Sequence, residues 1–167
     1  MADTILTRQR VKELFNYNPE TGVFTWKVGR SNVVKVGDIA GSKNHVKQYV
    51  SIKIDHMHYM AHRLAWLYSF GVLPKHQIDH IDGNRKNNKL SNLREATNSE
   101  NQQNLRRPST ANTSGYIGVS FSKAAKKWKA TICLNKKIIH LGVYETPEIA
   151  REVYLKAKKL MHTHAPI

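Results

Sequence analysis

QIDHIDGN, at residues 77–84, is the stretch that decides how this chain folds and what chemistry it can carry. It places the carboxylate of Asp79 beside the imidazole of His80, and asparagine side chains return at Asn92 and Asn101. Carboxylate and amide oxygens are ligands that hard divalent ions prefer, while histidine takes up a proton close to neutral pH. The stretch therefore predicts one metal ion held next to one base.

The charge of the chain indicates a polyanionic partner. Lysine and arginine number 27 against 12 acidic residues, which gives a formal net charge of +15 over 167 residues. Such an excess is typical of proteins that bind nucleic acid, and the aromatic residues among the charges favour that reading over a generally adhesive basic protein. The natural substrate for a metal ion and a base on this chain is a phosphodiester, because the metal stabilises the leaving alkoxide while the base activates water.

The sequence favours neither a membrane protein nor a protein stabilised by disulfides. No apolar run approaches the roughly 20 residues of a membrane span, and the N-terminus lacks a basic segment followed by an apolar one. Cys133 stands alone, so neither a disulfide framework nor a four-cysteine zinc site is expected. We expect a reduced, cytoplasmic protein with no membrane partner.

Hydrophobic periodicity and turn residues predict the elements that surround the stretch. Helical spacing over residues 61–70 ends at Gly71, and we expect that helix to support the site from the core. After the stretch, Asn98 or Ser99 is expected to cap a helix in which Asn101 lies about one turn in. No fold is predicted for residues 28–48. The remaining elements are a helix over 7–15, strands over 23–26 and 49–54, a turn over 55–58 and a short strand over 93–97.

Four blocks of sequence resemble the HNH endonuclease motif. They are QIDHIDGN at 77–84, the pair Asn87-Asn88, SNLR at 91–94 and NSENQQN at 98–104. The resemblance is closest to the phage- and intron-encoded, homing-type branch (H-N-N), in which asparagine, here Asn101, replaces the last histidine. It implies a ββα-metal fold, in which a hairpin is followed by a helix that carries the final metal ligand.

The resemblance also implies a role for each residue of the motif. His80 would be the general base, and Asp79 and Asn101 would bind the metal ion. Asn92 would belong to the catalytic set by holding the loop and orienting the histidine through backbone contacts. Because Asn101 replaces a histidine, one Mg²⁺ or Mn²⁺ ion per active site is expected in place of zinc.

Other polar residues near the motif are interpreted as structural. Asp82-Gly83 is a turn, and His62 is a structural residue of the supporting helix, with a phosphate contact as the lesser alternative. Three arginines are candidates for DNA phosphate contacts, although an exposed arginine is often simply solvated. The loop and cap asparagines are Asn87, Asn88, Asn98 and Asn104, and the candidate arginines are Arg63, Arg85 and Arg94.

The C-terminal part predicts a three-stranded meander followed by a helix. Its strands are expected over residues 116–121, 128–134 and 137–142, with a tight turn at Asn135-Lys136. Thr146 can cap a helix that has Pro147 at its first position. An apolar stripe should cover one face of the sheet, and its residues are Ile149, Val153, Ala157 and Leu160.

This part resembles the Apetala-type (AP-two/ERF) DNA-binding domain, through blocks at residues 114–120, 127–130, 140–144 and 146–150. In that family the face of the sheet enters the major groove of DNA. Plant members carry several arginines and tryptophans on that face, so no base preference is transferred. The residues expected to bind DNA are Ser120, Ser122, Lys123, Lys129, Thr131 and His140.

The expected fold is α+β. An HNH nuclease domain with an N-terminal β-rich extension (1–105) is joined by a linker (106–113) to an Apetala-type domain (114–167). The expected function is metal-dependent endonucleolytic cleavage of double-stranded DNA by a monomer or weak dimer that is targeted by the C-terminal domain. A monomer is expected to nick one strand per encounter, and double-strand cutting would need a dimer or a second visit. The alternative is a sequence-specific DNA-binding regulator whose nuclease motif is inert. An RNA nuclease or RNA binder ranks below both, because no RNA-binding motif is present.

Overall fold

A computed structural model describes residues 6–29, 33–43, 48–105 and 108–162. Its small antiparallel sheets and short helices confirm the α+β class. The chain divides into two compact units, Met1–Glu95 and Ala96–Ile167, whereas the sequence predicts a boundary at a linker over 106–113. Within the part of the chain that is described, no helix is long and apolar enough to cross a membrane.

The first unit opens with a helix and a hairpin. Helix α1 (Arg8–Leu14) begins after Thr7, whose hydroxyl accepts a hydrogen bond from the N–H of Arg10 at 3.1 Å. Strands β1 (Phe15–Asn18) and β2 (Val23–Trp26) pair antiparallel. The turn between them includes Gly22 in the left-handed region, at φ 73°.

A second sheet and a helix follow. Strands β3 (Ser42–Lys43), β4 (Val50–Ile54) and β5 (Met57–Met60) lie in the order β3-β4-β5. The turn before β5 is tighter than predicted, because Asp55 and His56 both adopt positive φ and reverse the chain within two residues. Helix α2 (Ala61–Phe70) has the predicted bounds and ends at Gly71, with φ 81°.

The core of the first unit joins these elements. Helix α2 buries Leu64 and Ala65 against side chains of α1 and the two sheets. Arg8 fastens the end of α2 to α1, since its guanidinium donates to the carbonyl oxygens of Tyr68 at 2.9 Å and Ser69 at 3.1 Å. The fully buried side chains include Val11, Phe15, Phe24, Ile52, Ile54 and Leu64.

The motif region forms a hairpin and then a short helix. Strands β6 (Gln77–His80) and β7 (Leu93–Ala96) pair, and the chain between them ends in a 3₁₀ turn (Leu90–Asn92). Helix α3 (Asn98–Gln103) is capped by Thr97, not by the predicted Asn98 or Ser99. Thr97 and Glu100 form a reciprocal capping box, which satisfies two backbone N–H groups at once and so fixes the start of the helix.

The second unit contains the predicted meander and helix. Strands β8 (Val119–Ser122), β9 (Lys127–Leu134) and β10 (Lys137–Tyr144) lie in the order β10-β9-β8. Strand β8 starts three residues later than predicted, because the hydroxyl of Ser114 and the amide of Asn112 bind the segment before it. A bulge between His140 and Gly142 lets β10 continue past its predicted end.

Helix α4 (Pro147–Met161) starts as predicted but buries a different face. Ala150, Tyr154 and Lys158 are buried, whereas Ile149 and Leu160 of the predicted stripe are 46% and 86% exposed. The buried stripe is therefore shifted by one residue from the predicted one, of which Val153 and Ala157 are half-buried. The ring of Tyr154 fits against Gly118, where a Cβ would clash with it, and this packing sets the rotation of the helix.

Candidate active site

Asp79 and His80 end strand β6, and both are buried, at 6% and 4% exposure. Neighbouring side chains on a strand point to opposite faces. Since both faces of this strand are covered, each of the two polar groups needs partners inside the protein. Those partners come from different parts of the hairpin.

Arg94, on strand β7, supplies the counter-charge of Asp79. Its Nε and Nη2 donate to the same carboxylate oxygen, Oδ2, at 3.0 Å and 2.8 Å. A carboxylate buried without such a partner would cost several kcal/mol, so this ion pair is what allows Asp79 to lie inside. The sequence predicts a DNA phosphate contact for Arg94; the structure places it against Asp79, and its contact with DNA stays a prediction.

Asn88 orients the imidazole of His80. Its Oδ1 lies 3.2 Å from Nε2 of His80, inside the protein. Because an amide oxygen can only accept, the proton of the neutral ring is on Nε2, and Nδ1 is the nitrogen that can take up another proton. Burial lowers the pKa of His80, although the bond to Asn88 acts in the opposite direction. The ring is therefore neutral near pH 7 and able to act as a base.

The sequence interpretation places Asn88 in the loop and misses its contact with His80. Asn88 is 3% exposed, and its Nδ2 donates to the carbonyl oxygen of Lys86 at 3.4 Å, which agrees with Oδ1 facing the histidine. The only sequence signal is a second asparagine beside Asn87, and nothing in the chain distinguishes the two before folding.

A second histidine packs against the first. The rings of His62 and His80 lie edge to face, with centroids 5.1 Å apart, and the ring of Tyr49 contacts both. The guanidinium of Arg85 lies over Tyr49, 5.1 Å from the ring centroid. Burial, with smaller effects from the charges of His80 and Arg63, lowers the pKa of His62 to about 3. Its Nδ1 is buried and makes no hydrogen bond with any described residue.

Asn92 fastens the loop between the two strands. Its Oδ1 accepts from the N–H of Asp82 at 3.0 Å, and its Nδ2 donates to Oδ1 of Asp82 at 2.9 Å and to the carbonyl of Asn87 at 2.8 Å. The N–H of Ile81 donates to the backbone oxygen of Asn92 at 2.9 Å. Asn92 thus holds the residue next to His80, while the ring itself is held by Asn88.

Asp82 is part of this loop and serves as its anchor. Burial acts to raise the pKa of Asp82, but hydrogen bonds from Asn87, Asn84 and Asn92 outweigh it and leave the pKa below its ordinary value. The carboxylate therefore stays charged and keeps the loop closed at neutral pH. This agrees with the turn role given to Asp82-Gly83.

Two further predicted residues lie on helices. Arg63 is half-buried in the first turn of α2. Asn101, the predicted second metal ligand, is half-buried in α3 within the second compact unit, and its N–H donates to the carbonyl oxygen of Thr97 at 2.9 Å.

The donor atoms suit a hard divalent ion. Across the described ranges, no group of three or more His, Cys, Asp or Glu side chains is placed to hold a metal ion. The predicted ligands are one carboxylate and one amide, which match the oxygen preference of magnesium and manganese and leave the remaining positions to water and phosphate oxygens. The buried carboxylate of Asp79 fits such an ion.

The predicted DNA-binding residues of the second unit lie at or near the surface of its sheet. Ser120 pairs with Lys129 across strands β8 and β9, and Thr131 pairs with His140 across β9 and β10. Ser122 holds the following turn, since its hydroxyl accepts from the N–H of Ala125 at 3.4 Å, and Lys123 is exposed. Strand alternation places Lys129 and Thr131 on the face opposite the buried Ala130 and Ile132.

Comparison with known proteins agrees with the geometry of the motif. The family described as HNH endonuclease matches residues 59–103. Protein 3.8 of Escherichia phage T7 is 36% identical over 100 residues, which are 59% of this chain and 82% of that protein. No solved structure matches the chain. Residues 59–103 therefore form an HNH endonuclease domain, in a chain that is a homologue of a phage protein.

Proposed function

We propose that this protein is a metal-dependent endonuclease that hydrolyses phosphodiester bonds in double-stranded DNA, with His80 as the general base. The family implies a nuclease with a DNA substrate. The observation that supports the catalytic assignment best is the buried bond from Nε2 of His80 to Asn88, which leaves Nδ1 as the basic nitrogen. A histidine that is neutral at pH 7 can accept the proton of an attacking water molecule.

HNH nucleases generally use a divalent metal ion, and in this proposal Asp79 and Asn101 hold one Mg²⁺ or Mn²⁺ ion. When bound, that ion stabilises the leaving 3′ oxygen and polarises the phosphate. Arg94 binds the carboxylate of Asp79 and fixes it in place. Asn92 keeps the loop closed, so that the backbone beside His80 does not move.

The remaining roles concern substrate and products. Arg63 and Arg85 contact DNA phosphates near the site, and Arg94 can do so if it is released from Asp79. Cleavage leaves 5′-phosphate and 3′-hydroxyl ends. With one centre per chain, a monomer nicks one strand per encounter, and double-strand cutting needs a dimer or a second visit. The phage relative favours a phage-encoded enzyme. That the enzyme is of the homing type is a proposal that follows from the resemblance of its motif to the H-N-N branch.

The second unit is proposed to bind the target DNA as an Apetala-type domain. Support comes from the pairing of Ser120 with Lys129 and of Thr131 with His140 on the sheet. A β-ribbon fits the major groove, where hydroxyl, imidazole and ammonium groups can contact base edges and phosphates. Lys123 and Ser122 extend this surface into the following turn.

Replacement of His80 by alanine tests the catalytic part. His80→Ala should abolish nicking of supercoiled plasmid with magnesium while DNA binding is retained, because the ring takes part in chemistry and not in affinity. His76→Ala is the matched control, since His76 is exposed and its bond to Glu95 is made by the backbone N–H, which alanine retains. Nicking by His80→Ala at the wild-type rate would disprove the assignment.

The metal dependence of the wild-type protein distinguishes the nuclease from the regulator alternative. The exposed, basic sheet of the second unit is the feature that favours it, because DNA binding there requires no catalysis. Site-specific binding without nicking in either magnesium or manganese would establish that alternative, and nicking with either ion excludes it.

A further inference from the structure

The loop that carries Asn88 is attached to the N-terminal hairpin β1–β2. The hydroxyl of Tyr17 donates to the backbone oxygen of Asn88 at 2.7 Å, inside the protein. Nearby, the N–H of Leu90 donates to the carbonyl oxygen of Pro19 at 3.0 Å. Two hydrogen bonds therefore join the hairpin to the segment that orients His80.

Gly22 brings the turn of the hairpin into direct contact with the same loop. A Cβ at this position would clash with the backbone carbon of Asn88 and the amide nitrogen of Lys89. The positive φ of Gly22, 73°, is a second reason why a side chain is disfavoured there. Because backbone atoms cannot rotate away as a side chain can, any larger residue would displace the loop.

Asn88 is thus held through both its backbone and its side chain. Its backbone oxygen binds Tyr17, and its side-chain oxygen binds His80. We propose that Tyr17 is a positioning residue of the nuclease, which acts through Asn88 to hold the His80 ring with its proton on Nε2. This inference rests on the proposed function. It also extends the catalytic unit to a hairpin outside the matched family region, which begins at residue 59.

The hydroxyl of Tyr17 is not needed for packing. The ring contacts Phe24 and Tyr68, with centroids 4.7 Å and 5.7 Å away, and a phenylalanine would make the same contacts. Burial, with a smaller effect from Glu20, raises the pKa of Tyr17 to about 12, so the group stays a hydrogen-bond donor under any ordinary assay condition. Among the described residues, the hydrogen-bond partner of this buried hydroxyl is the loop oxygen of Asn88.

Tyr17→Phe removes the bond and leaves the ring. We expect kcat for plasmid nicking to fall on the order of tenfold, with KM and DNA affinity unchanged, because loss of one hydrogen bond loosens the base without altering the DNA surface. Tyr68→Phe is the matched control, since Tyr68 belongs to the same ring cluster but its side chain does not contact the loop oxygen. It should keep the wild-type kcat.

A measurement without turnover separates this proposal from the proposed function. Nitrogen-15 NMR of the imidazole groups at pH 8 reports which nitrogen of His80 carries the proton, and comparison with His80→Ala assigns the signal. Wild-type protein and Tyr68→Phe should show the Nε2–H form, whereas Tyr17→Phe and Gly22→Ala should show a mixture of the two tautomers. Retained far-ultraviolet circular dichroism checks that both variants are folded.

The outcomes distinguish two failures. If His80→Ala nicks like the wild type, the proposed function fails whatever Tyr17 does. If His80→Ala is inactive and Tyr17→Phe shows either an unchanged kcat or an unchanged tautomer, the positioning role of Tyr17 is overturned. A reduced kcat together with a mixed tautomer supports it.

Discussion

The hairpin around His80 and the outer face of the C-terminal sheet place polar residues in opposite environments. Asp79, His80 and Asn88 are buried, and each bonds to another side chain of the hairpin or its loop. On the C-terminal sheet, Ser120 and His140 are exposed and available to a partner outside the chain. Buried polar groups are held in one geometry before substrate arrives, whereas exposed groups adapt to what they bind. Precise chemistry is therefore expected from the first region and salt-sensitive affinity from the second.

Loss of the counter-charge of Asp79 should have the largest effect on stability. Arg94→Ala is expected to lower the free energy of unfolding by about 3 kcal/mol, because a buried carboxylate loses its paired cation. Lys127→Ala breaks the exposed ion pair with Glu145 and should cost less than about 1 kcal/mol. Urea unfolding of both variants measures the difference, and equal losses would contradict the contrast between the two regions.

The pH dependence of stability should depend on His62. Its pKa is about 3 in the folded protein and about 6.5 when unfolded, so below pH 6.5 the unfolded chain binds a proton that the folded one does not. Stability is fully present above pH 6.5 and should fall by about 2 kcal/mol between pH 6.5 and pH 5 from this residue alone.

The variant His62→Phe isolates this effect. Phenylalanine fills the site without a titrating nitrogen, so the variant should lose less stability than the wild type on acidification. The comparison is made by urea unfolding at pH 7 and pH 5. Identical losses in the two proteins would show that His62 is not buried in its neutral form.

A single change on the C-terminal sheet should act on affinity alone. Lys129→Ala is expected to weaken binding of duplex DNA severalfold and to reduce the slope of log K against log salt by about 1, because one phosphate contact is lost. Nicking at saturating DNA should stay at the wild-type rate. If the affinity of the wild type for duplex DNA does not change with salt concentration, this surface does not bind DNA phosphates.

The smallest effect is expected on the outer side of helix α4. Leu160→Ser should change the free energy of unfolding by less than about 0.5 kcal/mol, since its side chain is 86% exposed. Tyr154→Ala should cost about 3 kcal/mol because its buried ring packs on Gly118. The free energies of unfolding are measured by thermal unfolding. Similar losses of stability in the two variants would support the stripe that the sequence predicts.

Elements with local signals were predictable from the sequence. Helix α2 has its predicted bounds because an apolar stripe, a left-handed Gly71 and a following proline all end it at the same place. The cap of α3 was missed although Thr97 and Glu100 have capping-box spacing, since three adjacent residues can each cap a helix. Helix α4 offers two stripes one residue apart, and only packing on Gly118 selects between them.

The partners within the site were not predictable in the same way. The motif indicates Asp79 and His80, but their partners depend on which side chains the hairpin brings close. Arg94 reaches Asp79 through the pairing of β6 with β7, and Asn88 reaches His80 through a loop held by Tyr17. Neither pairing leaves a local pattern, because the side chains meet only after the hairpin and its loop have folded.

Chemical rescue of the base position tests the central claim most directly. His80→Gly removes the imidazole and leaves a space for a free one beside Asn88. This variant should not nick supercoiled plasmid with magnesium, and added imidazole should restore part of the rate, in proportion to the neutral imidazole present. Nicking at the wild-type rate without imidazole would contradict the claim.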